Sequence, residues 1–338
     1  MEMSGRFMRE IEKARKAKKL AGMFVKSHRK HDICIYGSYA TGNTGDLAIG
    51  QALQTELEER GYHSAMFSRK VSGDSSAVSL LGGGGQIHDM SEKKLKTDLG
   101  RLDESSMIIG VGVEPILDAE LQEWVNTKLN QLSLITVRDE RSKQILDRYT
   151  DAEVIATSCP AFLHHIPETP TRGEYTGVSL QPIEIPPARF NSPKENIRRI
   201  VHYGNEVTPE NINQQYRETI HDIISSVQNP KLIPFHHFDQ EYCKNFDGLG
   251  CFSYDYNVKQ ALRRVAGAKQ MICTRYHSLV FSILCNKPAI AIAYAPKVAE
   301  LANRADIPCY SPDQPISFDF KKPSNREKIL ADCFVESD

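Results

Sequence analysis

The stretch MICTRYHSLVFSILCNKPAIAIAYAPK, Met271 to Lys297, decides the fold class because two kinds of apolar segment alternate along it. A short β-rich run ends at Thr274, and an apolar segment of helical length follows it. A second β-rich run starts at Pro288 and ends in a turn before the next helical segment. Short strands that alternate with helices predict a parallel sheet with helices packed on its faces. The stretch therefore predicts an α/β protein.

The same alternation extends over most of the chain and divides it into two halves. The first half contains the strands DICIYGSYA, SMIIGVGVEP and LSLITVRDE, and the second contains YTGVSL, KLIPFHHFD and KQMICT. Between them, Cys159 to Tyr175 is rich in proline and threonine and lacks periodicity, which is typical of a hinge. We expect a Rossmann-like domain at 32–165 and a second at 172–338, which face each other across a cleft.

Length, composition and charge exclude several classes of protein. A chain of 338 residues exceeds what one hydrophobic core usually organises, and 40% hydrophobic with 25% charged residues is typical of a folded soluble chain. A formal net charge of -1 argues against a general nucleic-acid binder. The eight cysteines form no CxxC pair and the start of the chain does not resemble a signal peptide, so we expect a reduced cytoplasmic protein without a metal site.

Residues 1–31 differ in composition from the rest of the chain. Basic and apolar residues alternate there; they are Arg6, Arg9, Lys13, Arg15, Lys16, Lys18 and Lys19 among Phe7, Met8, Ile11, Leu20, Met23 and Phe24. The apolar positions follow helical spacing only in patches. Two interpretations therefore stay open: a helix that contacts the inner face of the membrane, or a solvated basic extension.

A glycine-containing loop precedes the first helix of the first half. The stretch TGNTGDLAIGQALQTELEERGY places Asn43 and Asp46 before an amphipathic helix, and Gly61 marks the end of that helix. Gly42 and Gly45 allow close approach to a helix N-terminus, where unpaired N–H groups favour anions or hydroxyls. The loop lacks the GK[ST] of a Walker motif and the spacing of GxGxxG.

Four consecutive glycines form a second loop signal. In AVSLLGGGGQIHDM, Gly82 to Gly85 come directly after an apolar strand, and Gln86 follows them. Each glycine loses more backbone freedom on folding than any other residue, so a run of four favours a surface that a ligand approaches closely. A tight turn packed on a neighbouring helix is the alternative. We assign Gly83, Gly84 and Gln86 to ligand binding.

Cations are concentrated where predicted strands of the second half end. In MICTRYH the strand ends at Arg275 and His277, and residues two apart on an extended segment face the same side. Lys297 has the same placement after the next strand, so we expect the three side chains to converge on a pocket for a small dianion. The alternative pairs Arg275 with a carboxylate and makes His277 an ordinary N-terminal helix residue.

Arg138 is a further candidate in the first half. It follows the strand LSLITV, and ligands of open α/β sheets bind outside the carboxyl ends of strands. The guanidinium could hold a substrate anion there. The alternative is an ion pair with Asp139 or Glu140.

Five segments together resemble the successive motifs of the polysaccharide pyruvyl transferase family. They are TGNTGDLAIGQAL, LLGGGGQIHD, TVRDERS, IPFHHFDQ and CTRYHSLVFSILCNKPAIAIAYAPKV, and the resemblance covers roughly residues 32 to 310. It implies a fold like that of GT-B glycosyltransferases. It also implies transfer of pyruvate from phosphoenolpyruvate, used as co-substrate without a bound cofactor, onto two hydroxyls of a sugar acceptor in a glycan or lipid-linked precursor.

The resemblance also implies roles for individual residues. Arg275 and His277 match donor-binding positions, and Lys297, Arg138 and Tyr276 are further members. His277 would be the general acid in the second domain, the phosphoenolpyruvate side. On the acceptor side, the first domain, the candidates are Asp46 as a base with Asn43, Gly45, Gly83, Gly84 and Gln86. Two departures are TSCPAF, where many relatives have an Asp before the proline, and HHFDQ, with one Asp where a pair is common.

Two other functions stay open. A nucleotide-sugar glycosyltransferase of the same fold would need a site for a base and a diphosphate, which TRYH does not supply. A catalytically silent glycan-binding homologue would bind the acceptor without turnover.

We predict that residues 1–31 promote membrane association. Deleting them should lower binding to vesicles of anionic lipid at low salt, and raising the ionic strength should weaken binding of the intact chain because the attraction is electrostatic. Vesicle co-sedimentation measures both effects. Equal binding with and without the segment would contradict the prediction.

Overall fold

A computed structural model describes residues 31–68, 77–89, 91–168, 173–182, 209–312 and 314–333, without the side chains of 209–213 and 215. Residues 1–30, which hold nearly all of the basic extension, lie outside the described residues, so its membrane role stays a prediction. In the described part of the chain, none of the helices is long and apolar enough to cross a bilayer.

The chain folds into two compact units, each built on one sheet. The described residues of the first unit lie within 31–164 and 328–333, and its six-stranded parallel sheet has the order β2-β1-β3-β4-β5-β6. Its elements are β1 Ile33–Gly37, α1 Thr44–Glu59, β2 Ser64–Ser68, β3 Val78–Ile87, α2 Glu92–Leu99, β4 Met107–Val113, α3 Ala119–Leu129, β5 Leu134–Val137, α4 Glu140–Leu146, β6 Val154–Ala156 and a 3-10 turn at Pro160–Leu163.

The second unit comprises 165–327 and contains the other six-stranded parallel sheet, with the order β12-β11-β10-β7-β8-β9. Its elements are β7 Thr176–Ser179, α5 Pro209–Ser226, β8 Pro230–Leu232, α6 His237–Cys243, β9 Gly250–Cys251, α7 Val258–Gly267, β10 Gln270–Cys273, α8 Tyr276–Leu284, β11 Ala289–Ile292, α9 Pro296–Arg304 and β12 Cys309–Tyr310, with α10 Arg326–Ala331 ending in the first unit. The prediction of two Rossmann-like α/β domains is confirmed.

The C-terminal residues group with the first unit, whereas the sequence assigned them to the second. Beyond α10, the N–H of Ser158 donates to the carbonyl of Asp332 at 2.8 Å, and the thiol of Cys333 lies 3.8 Å from the carbonyl of Cys159. These contacts join positions far apart in sequence. Local pattern therefore could not reveal them.

Helix α8 is buried on every side, as its apolar sequence predicts: all nine residues from Tyr276 to Leu284 are buried. Its C-terminal carbonyls are satisfied by Arg326, whose Nε lies 3.2 Å from the carbonyl of Ile283 and 3.1 Å from that of Leu284. A cation at a helix C-terminus complements the helix dipole. Arg326 thereby fixes the C-terminal end of the helix. The N-terminal end lies at the carboxyl edge of the sheet, because the helix directly follows β10.

Two predicted strand boundaries are wrong. The four glycines lie inside β3, which continues to Ile87, rather than after a strand. The predicted strand KLIPFHHFD is only three residues long as β8, and the helix α6 begins at His237. In the first case pairing with β4 keeps Gly82, Gly84 and Gly85 within the sheet, and in the second a capping arrangement at His236 starts a helix within the apolar run.

Packing explains the first two glycines of the run. A Cβ at Gly82 would lie 2.6 Å from both Leu53 Cδ1 and the Tyr39 hydroxyl, and a Cβ at Gly83 would overlap Ile49. Gly83 also has a φ of +53°, which side-chain-bearing residues rarely adopt. A Cβ at Gly85 would meet open space. The alternative of a glycine run packed on a neighbouring helix thus holds for part of the run.

We predict that Gly82→Ala lowers the free energy of unfolding by about 1–3 kcal/mol, because its methyl group would overpack the contact with Leu53 and Tyr39. The matched control Gly85→Ala should change it by less than about 0.5 kcal/mol, since it adds a methyl group in open space. Denaturant unfolding of both variants measures the difference. Equal stability of the two variants would show that packing does not determine the glycine at position 82.

Candidate functional site

The second sheet has its topological switch point between β7 and β10. From β7 the chain adds β8 and β9 on one side, then crosses back to add β10, β11 and β12 on the other. Ligands of open parallel sheets bind outside the carboxyl ends of the strands at such a point. Thr274 and Arg275, which follow β10, therefore stand at the position where a ligand is expected.

The buried Thr274 ties the strand ends at this switch point together. Its hydroxyl donates to the carbonyl of Ser179 at 2.8 Å and accepts from the N–H of Gln181 at 2.5 Å. The hydroxyl of Tyr216 lies 3.3 Å from the same oxygen, and burial raises the pKa of that phenol well above its usual range. The backbone that carries Arg275 is thus tied to the end of β7 and to α5.

Arg275 forms a buried ion pair with Asp239. Its Nε donates to Asp239 Oδ2 at 2.7 Å and its Nη2 donates to Oδ1, and the two side chains are 12% and 0% exposed. Burial acts to lower the pKa of the guanidinium, but the Asp239 carboxylate outweighs burial and the pKa of Arg275 is raised. The carboxylate partner that the sequence left open is therefore present, and this arginine is held in one orientation.

Asp239 was missed as a site residue. Its Oδ2 also accepts the backbone N–H groups of Phe235 at 2.9 Å and His236 at 3.1 Å, so the carboxylate caps helix α6. The sequence signal was the single Asp in HHFDQ, noted only as a departure from the family pattern. Its pairing with a residue 36 positions away became visible only in the fold.

The sequence predicted that Arg275 and His277 lie on one extended segment. This prediction is wrong. Arg275 is the N-cap of α8 and His277 is the second residue of that helix. The strand ends at Cys273, so His277 lies inside the following helix. His277 is 7% exposed, and its ring lies edge-on to the Tyr276 ring at 5.2 Å between centroids.

Lys297 lies where the sequence predicted, as the second residue of helix α9 after Pro296. Because β10 and β11 are paired in parallel, α8 and α9 both begin at the same edge of the sheet, and the two helices pack on each other. The Lys297 ammonium lies 5.6 Å from the centroid of the Tyr294 ring. The Tyr294 ring therefore lies beside the start of α9, which carries Lys297.

The first unit places its predicted residues at its own switch point, between β1 and β3. Asn43 is the N-cap of α1, where its side chain accepts the N–H of Gly45 at 3.0 Å. A Cβ at Gly84 would lie 2.8 Å from Gln86 Nε2 and 3.2 Å from Asp46 Oδ1. Asp46, Gly84 and Gln86, which the sequence assigned to the acceptor side, thus lie close together.

Gln86 and Arg138 also make side-chain contacts within the first unit. Gln86 Nε2 donates to the Ser38 hydroxyl at 3.2 Å. Arg138 follows β5, is 4% exposed and pairs through Nε with Asp139 Oδ2 at 3.1 Å, which is the ion pair that the sequence left open. Its guanidinium lies against Gly112, where a Cβ would overlap it.

Two solved structures resemble the chain at low identity. One is a functionally uncharacterized protein from Klebsiella pneumoniae, with a TM-score of 0.46 and 13% identity over 85% of this chain and 92% of that one. The other is UDP-GlcNAc 2-epimerase from Methanocaldococcus jannaschii, with a TM-score of 0.42 and 10% identity over 88% of this chain and 98% of that one.

The sequence of the chain identifies its family more directly. No curated protein matches it. The family model of polysaccharide pyruvyl transferases, however, matches residues 43–296, which include the Asn43 cap, the glycine run of β3, Asp239 and the Arg275 helix start. The chain belongs to the polysaccharide pyruvyl transferase family.

Proposed function

We propose that the protein transfers pyruvate from phosphoenolpyruvate onto two hydroxyls of a sugar in a glycan or lipid-linked glycan precursor, forming a cyclic ketal and releasing phosphate. Family membership supports a transferase with a glycan acceptor. The observation that supports the donor assignment is the common edge from which α8 and α9 start, because Arg275, His277 and Lys297 all lie at those helix starts. Cations and helix N–H groups at one edge favour a small dianion.

The three cationic side chains would divide the work of binding the donor. Arg275 has a guanidinium fixed by Asp239, which suits a directional contact with a carboxylate or phosphate. Lys297 adds a positive charge from the neighbouring helix start, and the Tyr276 and His277 rings pack in a T-shaped contact. Arg138 is the further donor-binding candidate, and its pairing with Asp139 orients its guanidinium in the first unit.

His277 would act as general acid. A proton from its imidazolium adds to the methylene carbon of phosphoenolpyruvate and leaves an oxocarbenium-like centre at the neighbouring carbon. One sugar hydroxyl attacks that centre and gives up its proton to a base. The second hydroxyl then attacks the same carbon and closes the ketal, and the phosphate departs with the proton of that hydroxyl. Positive charge around the departing phosphate stabilises the transition state, which is the role we assign to Arg275 and Lys297.

The acceptor would be oriented by the switch point of the first unit. Asp46 stands in the first turn of α1 beside Gly84 and Gln86, so a carboxylate and an amide face one small region. Such a pair can accept and donate hydrogen bonds to adjacent hydroxyls, with Asp46 as the base. Asn43 and Gly45 shape the start of the helix, and Gly83 keeps the strand close to it.

The test is to supply phosphoenolpyruvate with a panel of sugar acceptors and to measure phosphate release and the ketal product by mass spectrometry. Equimolar phosphate and ketal would support the proposal. Turnover of a nucleotide sugar without turnover of phosphoenolpyruvate would instead indicate a glycosyltransferase. Acceptor binding without turnover of either donor would indicate a silent homologue.

We predict that Arg275→Lys weakens phosphoenolpyruvate binding by about 1.5–3 kcal/mol, because a point charge replaces a planar group that makes directional hydrogen bonds. Titration calorimetry measures the affinity. Arg264→Lys is a matched control, since Arg264 also pairs with an aspartate, Asp255, in the same unit. The control should bind phosphoenolpyruvate as the wild type does. Wild-type affinity in Arg275→Lys would refute the directional contact between Arg275 and phosphoenolpyruvate.

We predict that His277→Gln lowers turnover by roughly 10²–10⁴ while donor affinity changes far less, because glutamine keeps size and hydrogen bonding but cannot deliver a proton. The acidic-to-neutral pH dependence of turnover should also flatten. Steady-state kinetics across pH, with donor affinity measured separately, give both quantities. A persistent wild-type pH profile in the folded variant would rule out His277 as the acid.

A further inference from the structure

The ion pair with Asp239 occupies only one edge of the Arg275 guanidinium. Nε and Nη2, which form one side of the planar group, donate to the two carboxylate oxygens of Asp239. A guanidinium carries five N–H groups, so this side-on pairing leaves both N–H groups of Nη1 and the second N–H of Nη2 outside the pair. Those on Nη1 and Nη2 form a second, end-on fork that points away from Asp239.

We infer that Asp239 is a positioning residue, which fixes the direction of this end-on fork so that Arg275 grips the carboxylate or phosphate of the donor; the inference rests on the proposed function. A fork can make two parallel hydrogen bonds to either group. Asp239 does not touch the donor in this arrangement. It acts through Arg275.

Asp239 is itself held firmly enough to serve as a reference point. Its side chain is fully buried, and Oδ2 accepts the N–H groups of Phe235 and His236 in addition to Nε of Arg275. The two backbone donors belong to the loop before α6, a different element from the one that carries Arg275. The direction of the guanidinium is therefore set by the framework of the unit.

Arg275 is also fixed at its backbone. Its carbonyl accepts the N–H of Leu279 at 3.2 Å and the hydroxyl of Ser278 at 2.7 Å, in the first turn of α8. Because both the main chain and the guanidinium are restrained, the Arg275 side chain has little rotamer freedom left to lose when phosphoenolpyruvate binds. Preorganised donors of hydrogen bonds bind a matching anion better for that reason.

Charge alone predicts the opposite effect of removing Asp239. A carboxylate beside an anion site repels the anion, so its loss should strengthen donor binding if its only role were electrostatic. Loss of positioning should weaken donor binding although the site becomes more positive. The sign of the change therefore separates the two roles.

Asp239→Asn is the sharpest variant. An amide oxygen at the Oδ2 position keeps the two backbone hydrogen bonds. The amide nitrogen then takes the Oδ1 position, where its N–H groups meet the N–H groups of Arg275 Nη2 and no hydrogen bond can form. We expect phosphoenolpyruvate affinity to fall roughly tenfold, the scale of a lost charge-assisted hydrogen bond. The control Asp255→Asn removes the same charge from the Arg264 pair and should not weaken binding.

The experiment is titration calorimetry of phosphoenolpyruvate with the folded full-length variants, repeated with Asp239→Glu, which keeps the charge but lengthens the side chain and should also weaken binding. In the Arg275→Lys background, Asp239→Asn should have little further effect, because coupled residues are not additive. Tighter or unchanged binding by folded Asp239→Asn or Asp239→Glu would overturn the positioning role and leave the proposed function intact. No phosphoenolpyruvate binding by the wild type would overturn both.

Discussion

A buried charge in a protein must be paired, and in the second unit this constraint is met by Arg275 and Asp239. The arginine stands at the start of α8, a helix with no exposed residue, and the aspartate is fully buried in α6. The pair therefore joins the starts of α6 and α8, which follow β8 and β10, across the central strand β7. Removing either partner would leave the other charge buried and uncompensated, so the two helix starts depend on each other.

The parallel sheets explain why short motifs far apart in sequence meet. In each unit the order of the strands reverses next to a central strand, and the loops on either side of that strand end at the same edge. Asp46 and Gln86 meet in this way in the first unit, as Thr274 meets Ser179 and Gln181 in the second. Functional side chains that lie near the carboxyl ends of these strands are therefore brought together by the sheet itself.

The glycine run shows one residue type serving two purposes. Gly82 and Gly83 leave room for Leu53, Tyr39 and Ile49, so packing of α1 on β3 accounts for them. Gly84 instead faces Asp46 and Gln86, and its φ of +75° turns the strand beside them. Close helix packing thus brings the first turn of α1, which carries Asp46, up to the strand that carries Gln86. The candidate acceptor site depends on that packing.

The sequence by itself determined the α/β class, the two halves, the positions of most helices and the family, because hydrophobic periodicity and motif spacing are local properties. It also placed Lys297 at a helix start and Arg275 at the end of a strand. Three features came only from the folded structure: Asp239 pairs with Arg275, residues 328–333 join the first unit, and His277 lies within a helix. Each of these depends on contacts between residues distant in sequence or on where sheet pairing ends, and neither is recorded in the local pattern of residues.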